Sequence, residues 1–255
     1  MTHAYYFSPT GTTKTIIETI ARIIDMESVS HNITGPENRT PVPQFTPEDL
    51  IIFGVPVYAG RVPNVLKTYL SKIRGGGARG IAIVVYGNRH YDDALIELTD
   101  ILTTCGITVV AAGAFIGQHS FSEILAKGRP DKSDIAIAEA FATDIKNKNP
   151  KLPVTPSGNR PYRSYYRPVD ENGEPVNFKD IKPIKADHCI QCGHCETLCP
   201  VEGICIKCCA CVKACPVGAR MFDDSRFVAH KIELEEQFSE RKEPEIWKAG
   251  LSNEE

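Results

Sequence analysis

Two stretches of this 255-residue chain, CIQCGHCETLCP at 189–200 and CIKCCACVKACP at 205–216, each space four cysteines as C-x2-C-x2-C-x3-C-P. Nine of the ten cysteines fall in these two stretches, one more than the spacing requires. The N-terminus, MTHAYYFSPTGT, lacks the basic start, apolar core and small-residue cleavage site of a secretory leader. The longest apolar runs, such as IAIVVY, are too short to span a bilayer. A cytoplasmic setting is expected, where thiols stay reduced. Clustered cysteines there are read as metal ligands before disulfides.

Soft thiolates suit both iron and zinc. A structural zinc site, the competing reading, uses two separated C-x2-C pairs. Consecutive quartets ending in Cys-Pro are instead the spacing of paired [4Fe–4S] clusters, in which three cysteines wrap one cluster and the fourth reaches the other. That crossover assigns Cys189, Cys192, Cys195 and Cys215 to cluster 1, and Cys205, Cys208, Cys211 and Cys199 to cluster 2. Cys209 is the surplus residue, because shifting the ligand from Cys208 by one position would break both flanking intervals. It reads as a small apolar neighbour of the cluster, and Cys105 as a core residue. His188 and His194 are expected on the surface or beside the clusters, tuning them through hydrogen bonds. Only five residues separate Cys199 from Cys205, leaving no room for an insertion. On this pattern residues 182–224 resemble the compact α+β two-[4Fe–4S] ferredoxin of bacteria. The segment is poor in apolar residues, so its fold is expected to depend on the clusters.

The first 149 residues follow a different rule. Short apolar runs at 3–8, 50–57, 80–87 and 108–117, with a weaker one at 28–33, alternate with helical stretches at 12–25, 64–74, 91–105 and 132–147. Near-continuous apolar runs suit parallel strands buried on both faces. Strand–helix alternation predicts a doubly wound α/β sheet with any ligand at the carboxyl ends of its strands.

Three loops leave those ends. SPTGTT (8–13) runs from the first strand into a helix, where backbone N–H groups and hydroxyls make either a phosphate cradle or an ordinary capped start. It has neither the Gly-Lys-Ser/Thr ending of a nucleotide loop nor a G-x-G-x-x-G pattern. PVYAGRVP (56–63) and YGNRHYDDA (86–94) each carry a tyrosine, which would either flank a flat ring system or pack locally. These loops resemble those of flavodoxins, over about residues 1–148. The resemblance implies a five-stranded flavodoxin-like sheet in the order 2-1-3-4-5, and FMN as cofactor. It places Ser8, Thr10, Gly11, Thr12 and Thr13 around the phosphate. Pro56, Val57, Tyr58, Ala59, Gly60 and Arg61, with Gly87, Asn88, Arg89, Tyr91 and Asp93, would lie near the ring. Flavodoxins that diffuse between partners are typically strongly acidic. This half carries 14 Lys/Arg against 15 Asp/Glu, which suits a tethered partner.

Residues 150–181 are rich in Pro and Tyr and read as an ordered strap joining the two domains. The tail, 225–255, reads as a solvated helix around HKIELEEQFSER with a polar end. Net charge is -3 and neither half is basic, which excludes an electrostatic nucleic-acid binder. Together the two patterns resemble the flavodoxin–ferredoxin fusions of anaerobes. That resemblance implies an electron carrier passing electrons between the clusters and FMN, and serving redox partner proteins. The alternative is a ferredoxin-fed flavin reductase of a small acceptor (a quinone, nitro compound or enone). In that case His90, Tyr91 and His119 are the candidate proton donors.

Overall fold

The computed structural model describes residues 1–169 and 172–248. Strands β1 (Thr2–Tyr6), β2 (Val29–Asn32), β3 (Leu50–Pro56), β4 (Arg79–Tyr86) and β5 (Thr108–Ile116) pair in parallel in the order β2-β1-β3-β4-β5, a flavodoxin-like arrangement. Helices α1 (Thr12–Ile24), α2 (Asn64–Leu70), α3 (Ala94–Thr104) and α4 (Lys132–Lys148) provide the crossovers. The apolar stripe of α1 buries Ile16, Ile17 and Ile20 against one face of the sheet, where Phe115 and Phe141 also pack. Phe7, Phe53, Leu66 and Leu98 fill the opposite face. A sheet covered on both sides explains why its strands read as unbroken apolar runs.

The start of α4 is capped reciprocally. The Asp131 carboxylate accepts from the Asp134 N–H, and the Asp134 carboxylate accepts from the Asp131 N–H. Asp134, which is wholly buried, also receives the guanidinium of the buried Arg129 in a two-pronged ion pair.

The cysteine segment has little regular structure. It contains β6 (Ile184–Lys185), paired antiparallel with β7 (Arg220–Met221), and the one-turn helices α5 (His194–Thr197) and α6 (Ala210–Lys213). Its buried apolar cluster is Ile181, Cys209 and Phe227, with Phe121, Phe178, Val212 and Phe222 partly buried around it.

The tail departs from the expected free helix. Helix α7 (Ser225–Gln237) buries Phe227, His230 and Leu234, and the chain then returns as β8 (Glu245–Lys248). β8 pairs antiparallel with β5 and adds a sixth strand to the sheet. Its partner atoms explain the return. Lys248 pairs with Asp144, Arg129 donates to the Lys242 carbonyl at 2.6 Å, and Arg241 meets Asp131 at 2.7 Å. Residues 249–255 of the expected tail lie outside the described residues.

The strap lies against the sheet domain. Val154 N–H donates to the Val109 carbonyl at 2.9 Å, and Tyr162 Oη and Arg160 both donate to Asp100. Tyr166 N–H donates to the Ala59 carbonyl at 2.9 Å, which fixes the strap on the β3 loop. Among the described residues no helix is long and apolar enough to cross a membrane.

Candidate functional site: a junction cavity and two cysteine-lined hollows

The loops at the carboxyl ends of β3, β4 and β5 converge, and glycines set their spacing. A Cβ built on Gly60 would meet Asp92 Oδ2 at 2.1 Å, and one on Gly87 would meet the His119 ring at 2.4 Å. A side chain at either position would push two loops apart. Between these loops, the strap and the cysteine segment lies a cavity of about 670 Å³, within the ~300–1,000 Å³ range of small-molecule sites. Tyr58, Gly60, Gly87 and His90 line one side, with His119 and Phe121 from the β5 loop. Tyr166 and Phe178 of the strap line another, Cys205 and Lys207 a third, and His230 of α7 closes it.

The first loop lies outside this cavity. Gly11 holds φ 86°, a left-handed conformation that favours glycine, and a Cβ added there would meet nothing within 4 Å. Ser8 Oγ accepts from the Lys14 N–H at 2.9 Å, while the Ser8 N–H donates to Thr34 Oγ1 at 2.8 Å. The Gly11 N–H turns back to the Ser8 carbonyl at 3.3 Å, and a helix start with open space above its glycine is where an anion can meet backbone donors. Thr12 packs where a side chain on Gly117 would sit, so the cradle adjoins the β5 loop.

Several residues of these loops make bonds that tie the strap and the tail to the sheet domain. Arg61 is buried and grips Glu97 through two nitrogens at 2.8 and 2.7 Å. Its guanidinium also lies over Tyr162 and Tyr165 of the strap, 4.6 and 5.0 Å from the ring centroids. Asp93 accepts from Asn159 and from the Arg163 N–H, which ties down the same strap. Asn88 donates to the Phe238 and Glu240 carbonyls at 2.6 and 2.8 Å. Tyr91 Oη donates to Glu245 at 2.7 Å, directing that ring to β8 instead of the cavity. Pro56, Arg61, Asn88, Tyr91 and Asp93 therefore lie outside the lining, and Val57, Tyr58, Ala59, Gly60, Gly87 and Arg89 lie in it. Arg89 pairs with Asp92, and its guanidinium stacks 4.2 Å above the Tyr166 ring.

His119 Nδ1 accepts from the Phe121 N–H at 3.2 Å, which leaves the proton of the neutral ring on Nε2. Burial first, then repulsion from His230, Arg89 and Lys213, pushes its pKa down to about 4. His230, absent from the expectations, is buried with Nδ1 3.0 Å from Glu233, and burial also lowers its pKa. A histidine on an amphipathic helix carries no motif, so no local signal marks it.

The cysteines fall in two further hollows. Cys189, Cys192, Cys195 and Cys215 line one, beside Lys185 and Arg220. Cys199, Cys205, Cys208, Cys209 and Cys211 line the other, beside Phe222. Each quartet thus gathers three cysteines of one stretch and the last cysteine of the other. The backbone repeats as well. Gln191 and Gly193 hold φ 54° and 74°, and Lys207 and Cys209, at the same places in the second stretch, hold 56° and 59°. Cys209 therefore occupies a glycine-like position, buried against Ile181 and Phe227.

Backbone N–H groups of Val217, Arg220, Ala219 and Gly218 hold the Cys215 thiol below its ordinary range. Burial pushes Cys208 up to about 12 and raises Cys211. Among the described residues no three His, Cys, Asp or Glu side chains converge on a single metal-ion position. His188 and His194 are exposed, and Cys105 donates to the Leu70 carbonyl at 3.2 Å.

No curated protein matches the chain. Among solved structures, a flavodoxin from the domain Archaea is 17% identical, with 58% of this chain and 96% of that one covered at a TM-score of 0.40. The flavodoxin of Streptococcus pneumonia TIGR4 is 14% identical, covering 58% and 98% at 0.40. The apo form of an NADH:FMN oxidoreductase (EMOB) is 16% identical, covering 59% and 89% at 0.42. The flavodoxin domain family model matches residues 4–87, which span β1 to β4. By that match and by its strand order, the N-terminal part of the chain is a flavodoxin-like domain.

Proposed function

We propose that this chain is an electron-transfer protein that binds FMN in its sheet domain and two [4Fe–4S] clusters in residues 182–224. The observation that carries this reading is the shared cavity. Its walls come from the flavodoxin-like loops on one side and from Cys205, Ile206 and Lys207 on the other. When bound, the flavin accepts one or two electrons and each cluster one, a match that couples single-electron partners to two-electron chemistry. In this reading Ser8, Thr10, Gly11, Thr12 and Thr13 hold the phosphate. Tyr58, Tyr166 and Phe178 exclude water from the ring. The two quartets hold the clusters in the crossover pairing. The near-neutral sheet domain has no strong field with which to attract a separate carrier. The strap and β8 fix the partner domain in place instead. Photoreduction under anaerobic conditions tests the proposal. Clusters and flavin should equilibrate at a rate independent of protein concentration. A rate proportional to concentration would overturn intramolecular transfer.

One observation favours a second reading, reduction of a small acceptor in the same cavity. His119 presents its Nε2 proton at the cavity wall, where it can donate to a substrate reduced at the ring. Turnover of quinones, nitro compounds or enones that falls sharply in His119→Ala would support it. Absence of turnover, together with fast reduction of a protein acceptor, would leave the carrier reading alone.

A further inference from the structure

The two cysteine hollows are not equivalent with respect to the junction cavity. Cys205, Ile206 and Lys207 line that cavity, and none of Cys189, Cys192, Cys195 and Cys215 does. Ile206 packs on the core of the sheet domain, which brings the second stretch against it. Two hydrogen bonds fasten that stretch further, from Lys213 Nζ to the Ser122 carbonyl at 2.8 Å and to Glu123 at 2.6 Å. A third, from Arg39 Nη2 to the Pro200 carbonyl at 3.2 Å, holds the chain beside Cys199 of the same quartet. The hollow of Cys189, Cys192, Cys195 and Cys215 shares no lining residue with the cavity, whereas the other hollow shares Cys205 and Ile206 with it.

Tyr58 shares the cavity wall with Cys205 and Ile206 of the second stretch. It packs with Ile206 on the same core of the sheet domain. One ring therefore lies where the sheet-domain loops meet the second quartet. Electron tunnelling decays exponentially with the gap and is faster through packed atoms than through a void.

Resting on the reading above, we infer that the quartet of Cys199, Cys205, Cys208 and Cys211 holds the inner electron station, joined to the flavin site through Tyr58, and that the other quartet holds the outer station facing the redox partner. With clusters and FMN bound, the outer quartet would take single electrons from a reduced one-electron carrier protein and the inner quartet would pass them on. Two such transfers, with two protons from water, would balance a two-electron reduction of the ring, and the reverse would oxidise it.

The test uses the reconstituted full chain under anaerobic potentiometric titration, followed by EPR. Lys185 lines the hollow of Cys189 and Cys195, and the Lys207 N–H donates to Cys205 Sγ at 3.4 Å. Lys185→Glu and Lys207→Gln should each displace mainly one of the two cluster midpoints, which assigns each midpoint to its quartet. The one-electron-reduced flavin signal should then relax several-fold faster when the cluster displaced by Lys207→Gln is reduced, and be unchanged when the other is. Relaxation that follows the cluster displaced by Lys185→Glu, or both equally, overturns the order. A second arm compares Tyr58→Leu with Tyr165→Leu, a residue of the same cavity bonded to Lys67 and Asn64. Cluster–flavin exchange should slow several-fold in the first and hold in the second, whereas equal rates in both would remove Tyr58 from the path. Chains that bind flavin but no iron and sulfide would instead refute the underlying reading, a different result from clusters in the wrong order.

Discussion

The sheet domain and the cysteine segment solve the folding problem by different means. The first buries about 45 apolar side chains in two layers, among them Phe53, Phe115 and Phe141 with almost no exposure. Each fully buried large side chain contributes on the order of 1.5–3 kcal/mol. The second has two-residue strands, four-residue helices and a buried cluster of Ile181, Cys209 and Phe227. Helices of one turn are not stable alone, and so small a core cannot offset chain entropy. One region is thus held by hydrophobic burial, and the other lacks a comparable core; on the proposed reading its clusters take that place.

On the proposed reading, the largest effect on this contrast is loss of the clusters. Iron-chelated protein should exchange its amide hydrogens fast across 184–221 while β1, β3, β4 and β5 stay protected. Structural metal sites in small domains contribute on the order of 10 kcal/mol. Retained protection in the cysteine segment would show that it folds without metal. A core deletion does the reverse. Phe53→Ala should destabilise the sheet by ~3–5 kcal/mol, seen in chemical denaturation, while the charge-transfer absorption of the clusters persists until the chain unfolds.

Acid sharpens the comparison further. His119 sits at about 4 in the fold against about 6.5 in an open chain, and burial lowers His31 and His230 too. The unfolded chain then binds protons more readily. Stability contributed by these histidines is complete above about pH 6.5 and is lost as pH falls toward 4. A Tm falling through that window, with the fall reduced in His119→Gln, is the expected profile.

Smaller effects follow at single residues. Tyr91→Phe removes the bond to Glu245 and should cost about 1 kcal/mol, with faster amide exchange in β8. Cys209→Ala should leave both clusters in place and change stability least, since the residue serves as filler in a left-handed position. Loss of one cluster in this variant would make Cys209 a ligand.

The sheet was legible because doubly covered parallel strands cannot avoid continuous apolar runs, and IAIVVYG and TVVAAGAFIG leave little choice. β8 was not, because EIWK is short and its pairing depends on a chain that returns from the far end of the cysteine segment. The loops announced themselves through glycine and tyrosine, but their sequence could not say which side chains faced the cavity. Arg61, Asn88, Tyr91 and Asp93 found partners in Glu97, the Phe238 carbonyl, Glu245 and Asn159, all distant in the chain. The cysteine spacing was the most informative signal, since thiolate quartets constrain backbone shape with few other residues. It carried no sign, however, of which quartet would face the flavodoxin-like loops.

The most direct test of the central claim is chemical. Anaerobically purified chain, analysed for iron, acid-labile sulfide and flavin, should contain about eight iron and eight sulfide for each FMN. Two zinc or iron ions, each held by four cysteines, without sulfide, or clusters without flavin, would contradict it.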